Sequence, residues 1–103
     1  MAARLEQLTE LLQQTPGDSF LHHALALELI KTGATAAAKE HFLFNLKHHP
    51  GYLATYYHLG KLEEKEGNTG GALQLYEQGM AVANKQNDLR TYNELQAAYE
   101  DLA

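Results

Sequence analysis

Lys31-Thr32-Gly33-Ala34-Thr35 and Lys65-Glu66-Gly67-Asn68-Thr69 share Lys, Gly and Thr in the same slots, 34 residues apart, and Ala38 and Ala72 extend the match. The same offset lays Pro16-Gly17 on Pro50-Gly51 and Leu25 on Leu59. Laying residues 16–49 on 50–83 gives seven identities, where composition alone gives about two. Each copy reads as the corner of a helical hairpin. Its Gly ends one helix in a left-handed cap free of a Cβ clash. Its Thr is then expected to accept a backbone N–H and start the next helix. A fixed period of this size implies stacked helical units before anything else is read.

The pattern predicts six helices. Residues 3–14 place Leu5, Leu8, Leu11 and Leu12 on one face, at helical spacing. Pro16-Gly17 stops this helix, and Asp18 or Ser19 caps the next, from about Phe20 to Thr32. That helix is apolar nearly all round: Leu21, Leu25 and Leu29 form one stripe, and Phe20, Leu27 and Ile30 another, with His23 between them. Such a helix is buried on two sides or keeps one stripe for something else. The third helix spans Ala36–His49, with Phe42 and Leu46 inward and Phe44 on the wet side. Leu53–Glu66 points Tyr56, Leu59 and Leu62 inward. Gly70–Lys85 points Leu73, Tyr76 and Met80 inward, and its Gly70-Gly71 start is expected where helices touch closely. Asn84–Asp88 reads as a polar loop. Leu89–Leu102 shows Leu89, Tyr92, Leu95, Tyr99 and Leu102 on one face and suits a capping helix.

Composition excludes several function classes. The chain has 103 residues, no cysteine and a net charge of −5. It is expected to form a single domain without disulfides or Cys-based zinc sites, in keeping with a cytoplasmic setting. No basic stripe exists to displace counterions from nucleic acid. No apolar run approaches the ~18 residues of a membrane span, and no signal peptide is expected. Residues 53–103 carry eight acids and four bases, which favours a basic or neutral partner surface. Of six histidines, His22-His23 and His48-His49 are adjacent pairs. Adjacent residues point about 100° apart on a helix, so neither pair shares an ion, and no metal or other cofactor is expected. Glu63, Glu64 and Glu66 alternate with Lys61 and Lys65 as a solvated face. No nucleophile motif or phosphate-cradling loop is present, so no catalytic residue is assigned.

The repeat resembles the tetratricopeptide repeat (TPR), whose signature is W-x₂-L-G-x₂-Y…A-x₃-F…P. The first unit supplies His22, Leu25, Ala26 and Leu29, then Ala38, Phe42 and Pro50. The second supplies Tyr56, Leu59, Gly60 and Glu63, then Ala72, Tyr76 and Asn84; the last helix supplies Tyr92, Leu95, Gln96 and Tyr99. Glu63 stands where an aromatic is usual, with Leu62 expected to compensate. Asn45 fills a small apolar slot, so its amide is expected to find a backbone partner. Asn84 replaces the terminating Pro, which lets the fifth helix run on. His22 fills a core slot and is expected to be a hydrogen-bonded packing residue.

The resemblance implies an all-α, right-handed α-solenoid of antiparallel helix pairs. It divides into an N-terminal helix (1–16), two repeats (17–51 and 52–86) and a capping helix (87–103). It further implies a concave groove that binds a protein or peptide segment. Carried onto this sequence, that groove takes Phe20, His23, Leu27, Ile30 and Lys31 from the second helix. It takes Tyr57, Lys61, Glu64 and Lys65 from the fourth, and Arg90, Asn93, Ala97 and Asp101 from the sixth. Phe20 and Tyr57 are the expected aromatic anchors. Some members grip a C-terminal carboxylate with Lys, Asn and Arg. The matching slots here hold His23, Leu27, His58, Arg90 and Glu94, of which only Arg90 suits an anion. The alternative from another class is a self-assembly unit, a homodimer built on Phe44 and the Leu5–Leu12 face.

Overall fold

A computed structural model describes residues 2–103; Met1, the first residue of the expected 1–16 segment, lies outside them. Six helices follow one another: α1 Ala2–Gln14, α2 Ser19–Lys31, α3 Thr35–His48, α4 Ala54–Lys65, α5 Thr69–Lys85 and α6 Leu89–Leu102. None among the described residues is long and apolar enough to cross a membrane. The chain forms two compact units, one ending at Tyr52 and the other spanning Leu53–Ala103.

The corners have a common construction. Gly33 and Gly67 adopt φ of 83° and 86°, the left-handed region that a Cβ disfavours. Gly33 and Ala34 donate to the carbonyls of Ile30 and Leu29 at 3.0 and 2.9 Å. Gly67 and Asn68 donate to those of Glu64 and Glu63 at 3.0 and 2.8 Å. This Schellman pairing satisfies carbonyls that the helix end leaves open. Asn87, at φ 59°, builds a third such corner, with Asn87 and Asp88 bonded to Asn84 and Ala83. The polar loop expected over Asn84–Asp88 is therefore shorter, because α5 runs on to Lys85. The Thr residues are not the caps. Thr35 and Thr69 are the first helical residues, and the cap positions are Ala34, which makes no side-chain bond, and Asn68, which accepts from Gly71 N–H. Asp18 caps α2 through Leu21 N–H at 3.0 Å.

In the first unit α2 packs against both α1 and α3. Leu8, Leu21, Ala24 and Leu25 form the core, with Leu5 and Leu12 against it. Fully burying a leucine is worth about 1.5–3 kcal/mol. Leu11 falls outside this face and is 48% exposed, since α1 packs on α2 through the narrow stripe of Leu5, Leu8 and Leu12. Asn45 is fully buried and its Nδ2 donates to the Ser19 carbonyl at 2.9 Å. Phe44 does not face water alone: its ring stacks on His22, with centroids 3.8 Å apart and planes at 20°.

In the second unit α5 packs between α4 and α6. Tyr56, Leu59 and Leu62 from α4, Leu75 and Tyr76 from α5, and Leu95 from α6 are buried. Leu62 is buried and Glu63 half-exposed. Two glycines set the spacing. A Cβ on Gly60 would collide with the Tyr76 ring, and one on Gly79 would lie 2.7 Å from Tyr56 Cβ and 2.8 Å from Leu95 Cδ1. The close approach expected at Gly70-Gly71 is absent: Gly70 has nothing within 4 Å, and Gly71 makes room for the capping Asn68 side chain. Leu89, expected on the inward face of α6, is 70% exposed.

Candidate binding surfaces

Each unit carries a surface hollow. In the second unit an open hollow of about 460 Å³ lies between α4 and α6. Tyr57, His58 and Lys61 line it from α4, and Glu94, Ala97, Ala98 and Asp101 from α6. Residues 94, 97, 98 and 101 are three or four apart, so they share one helix face. The helices reach this position because each packs on α5, and Gly60 and Gly79 admit that packing.

Hydrogen bonds and ion pairs fix the α4 wall. Tyr76 OH donates to Glu64 Oε2. Lys61 Nζ lies 3.5 Å from the same oxygen and 5.6 Å from the Tyr57 ring centroid, a cation–π arrangement worth about 0.5–1 kcal/mol at an exposed site. Burial, then the bond to Glu64, pushes the Tyr76 phenol well above its ordinary range, so it remains a donor. Burial holds His58 below the ordinary histidine range, which favours the uncharged ring at neutral pH. The Tyr57 and His58 rings meet edge to face at 5.4 Å.

In the first unit a hollow of about 260 Å³ is lined by Phe20, His23, Ala24, Leu27 and Lys31 of α2, with Glu28 and Arg4. Phe20 is 58% exposed. Glu28 receives Arg4 Nε and Lys31 Nζ, each at 3.3 Å. Such surface pairs contribute about 0–1 kcal/mol apiece.

The thirteen residues expected from the sequence thus fall into separate groups. Phe20, His23, Leu27 and Lys31 gather in the first unit; Tyr57, Lys61, Ala97 and Asp101 gather in the second. Ile30, Lys65 and Asn93 line neither hollow. Glu64 acts from behind, through Tyr76 and Lys61. Arg90, with its side chain 91% exposed, reaches Glu94 at 3.9 Å. His58 and Glu94, poor ligands for an anion, are lining residues all the same, and the helical register of Glu94 with Ala97 and Ala98 signals it. Among the described residues no group of three His, Cys, Asp or Glu could hold a metal ion.

No family model matches the chain. A TPR repeat-containing protein of Pseudomonas aeruginosa is 29% identical over 91 residues, 88% of this chain and 87% of that protein. The solution structure of a tetratricopeptide repeat domain protein from Salinibacter ruber is 37% identical, covers 84% of this chain and 88% of its own, and superposes with a TM-score of 0.82. A solution structure of a Bordetella parapertussis protein is 28% identical, covers 95% of this chain and 85% of its own, and gives a TM-score of 0.81.

Proposed function

The chain belongs to the tetratricopeptide repeat family, and from that premise we propose that it is a non-catalytic, cytoplasmic module that binds a protein segment in the α4–α6 hollow. The observation that carries this reading is the convergence of Tyr57, Lys61, Ala97 and Asp101 on one open hollow. Its volume falls within the ~300–1,000 Å³ of ordinary ligand sites. Tyr57 offers a rigid aromatic wall, and Ala97 and Ala98 leave room for an incoming side chain. Glu64 offsets the charge of Lys61 and Arg90 that of Glu94, so Asp101 sets the sign of the rest. The fitting segment carries a basic or neutral side chain into the hollow.

The self-assembly alternative keeps the exposed Leu11 but loses part of its surface. Leu8 is buried against α2, and Phe44 is stacked on His22. The test is capture of partners from native lysate by the wild type, Tyr57→Ser and Ala97→Trp. Both variants change the hollow and leave the core intact. Partners retained by the wild type and lost by both folded variants support the reading; an unchanged set overturns it.

A further inference from the structure

The first unit holds a histidine cluster that the binding surfaces do not use. His22 is buried to 6% exposure. Its Nε2 lies 2.8 Å from the Pro16 carbonyl, and its Nδ1 lies 2.9 Å from His41 Nδ1 on α3. A carbonyl only accepts, so His22 carries its proton on Nε2 and presents a lone pair at Nδ1. His41 must then supply the proton between the rings, which fixes it as the Nδ1–H tautomer. The neighbouring carbonyl, Gly17, is held by His49 Nε2 at 2.6 Å. The α1–α2 corner is thus tied to the start of α2 by His22 and to the end of α3 by His49.

We infer that the His22–His41 contact is an acid-operated latch between α2 and α3, closed while the pair carries at most one positive charge and opened by a second. A first added proton leaves one N–H facing one lone pair, and the bond becomes charge-assisted. A second puts two N–H groups head to head at a separation that suits a single proton, together with two like charges. His41 is half-exposed and His22 is buried, so release comes by His41 turning out to water. The bonds from His22 and His49 to Pro16 and Gly17 do not oppose this, since a charged ring still donates.

The surroundings do not supply a compensating anion from every side. On α3, Glu40 favours a charged His41, while burial and His22 act against it and together hold His41 below the ordinary histidine range. His48 lies beyond Phe44, their rings 4.3 Å apart, and adds no negative charge. Asp18 caps α2 through Leu21 N–H. From α1, which packs through Leu5, Leu8 and Leu12, Arg4 is engaged with Glu28. His41 takes up its proton near pH 6.5 in the unfolded chain and only at lower pH in the closed pair. Stability therefore falls as pH drops below that value.

Long-range ¹H–¹⁵N NMR of the full chain tests the latch directly. At pH 7.5 His22 is expected to be protonated at Nε2 and His41 at Nδ1. On acidification the pair takes up protons in two steps at least about one pH unit apart, and the second step moves the signals of Phe44 and Gly17. A second measurement uses His41→Asn, whose amide donates through its nitrogen to an uncharged His22 and, turned over, accepts through its oxygen from a charged one. Its fall in Tm between pH 7.5 and 5 is expected to be less than about half that of the wild type. The inference is overturned by His22 protonated at Nδ1 at pH 7.5, or by simultaneous single-step protonation of both rings. An equal fall in Tm for a folded His41→Asn also overturns it; should that variant fail to fold, the wild-type NMR titration decides.

Discussion

Gly79→Ala adds one methyl group at the point where α5 is pressed from both sides. The new carbon would lie 2.7 Å from Tyr56 Cβ, 2.8 Å from Leu95 Cδ1 and 3.0 Å from Tyr56 Cγ. Tyr56 Cβ is bonded to the α4 backbone and cannot rotate away, so α4 and α5 must part. Overpacking of this kind costs about 1–3 kcal/mol. Alanine returns up to about 1 kcal/mol of helix propensity. The clash involves two rigid neighbours, which puts the cost at the upper end and leaves a net loss of about 1–2 kcal/mol. For a chain of this size that lowers Tm by about 4–15 °C. Gly70→Ala, on the same helix, is the control. Nothing lies within 4 Å of its added carbon, and it should gain about 0.4–1 kcal/mol by restricting the unfolded chain. Thermal and urea denaturation followed by circular dichroism measure both. A Gly79→Ala protein as stable as the wild type would refute the close α4–α5–α6 packing that supports the hollow.

Three further outcomes follow from single contacts. Leu25, 3% exposed, should cost about 2–5 kcal/mol as Leu25→Ala, and a urea-derived loss below about 0.5 kcal/mol would mean that another face of α2 is buried. Thr55 is fully buried and its Oγ1 has no hydrogen-bond partner among the described residues. Thr55→Val should therefore be neutral or stabilise by up to about 1 kcal/mol, and a clear loss in the same titration would reveal a bond to that hydroxyl. Thr91 N–H, then the Thr91 hydroxyl, hold the exposed Asp88 carboxyl below its usual range, so its contribution is complete above the ordinary aspartate value of about 3.9 and fades as pH falls through the lower folded value. Asp88→Asn keeps a cap without titrating; its Tm should fall less than that of the wild type between pH 5 and pH 2.5, chosen as about a unit above and below that range, and equal slopes would contradict the cap's role.

The hairpins were legible because their corners make local demands. A left-handed residue at Gly33 and Gly67 depends on the chain alone, and the 34-residue offset repeats it. His22 and Asn45 were legible for a related reason: a polar side chain in a core slot favours a bonded partner, whichever neighbour supplies it, although the buried Thr55 hydroxyl has none among the described residues. Contacts that need a second helix were harder to read. Phe44 looks solvent-facing on its own helix, and the arrival of His22 from α2 covers one face of its ring. The close helix contact expected at Gly70-Gly71 is found instead at Gly60 and Gly79. A glycine in the first helical turn can serve a cap, whereas one mid-helix has only close packing to explain it. Asn87 escaped notice because the third corner lacks the glycine of the other two. The expected groove residues were chosen by repeat position, which places Tyr57 and Ala97 together but says nothing of ion pairs. Glu64 is instead bonded to Tyr76 and Lys61, and Arg90 to Glu94.

Site-specific photocross-linking tests most directly where a partner sits. A photoreactive residue at position 97 lies in the α4–α6 hollow, and one at position 77 lies on the exposed surface of α5. With a captured partner, binding in the hollow gives covalent adducts from position 97 and none from position 77. Adducts from position 77 alone, or equal adducts from both, would contradict it.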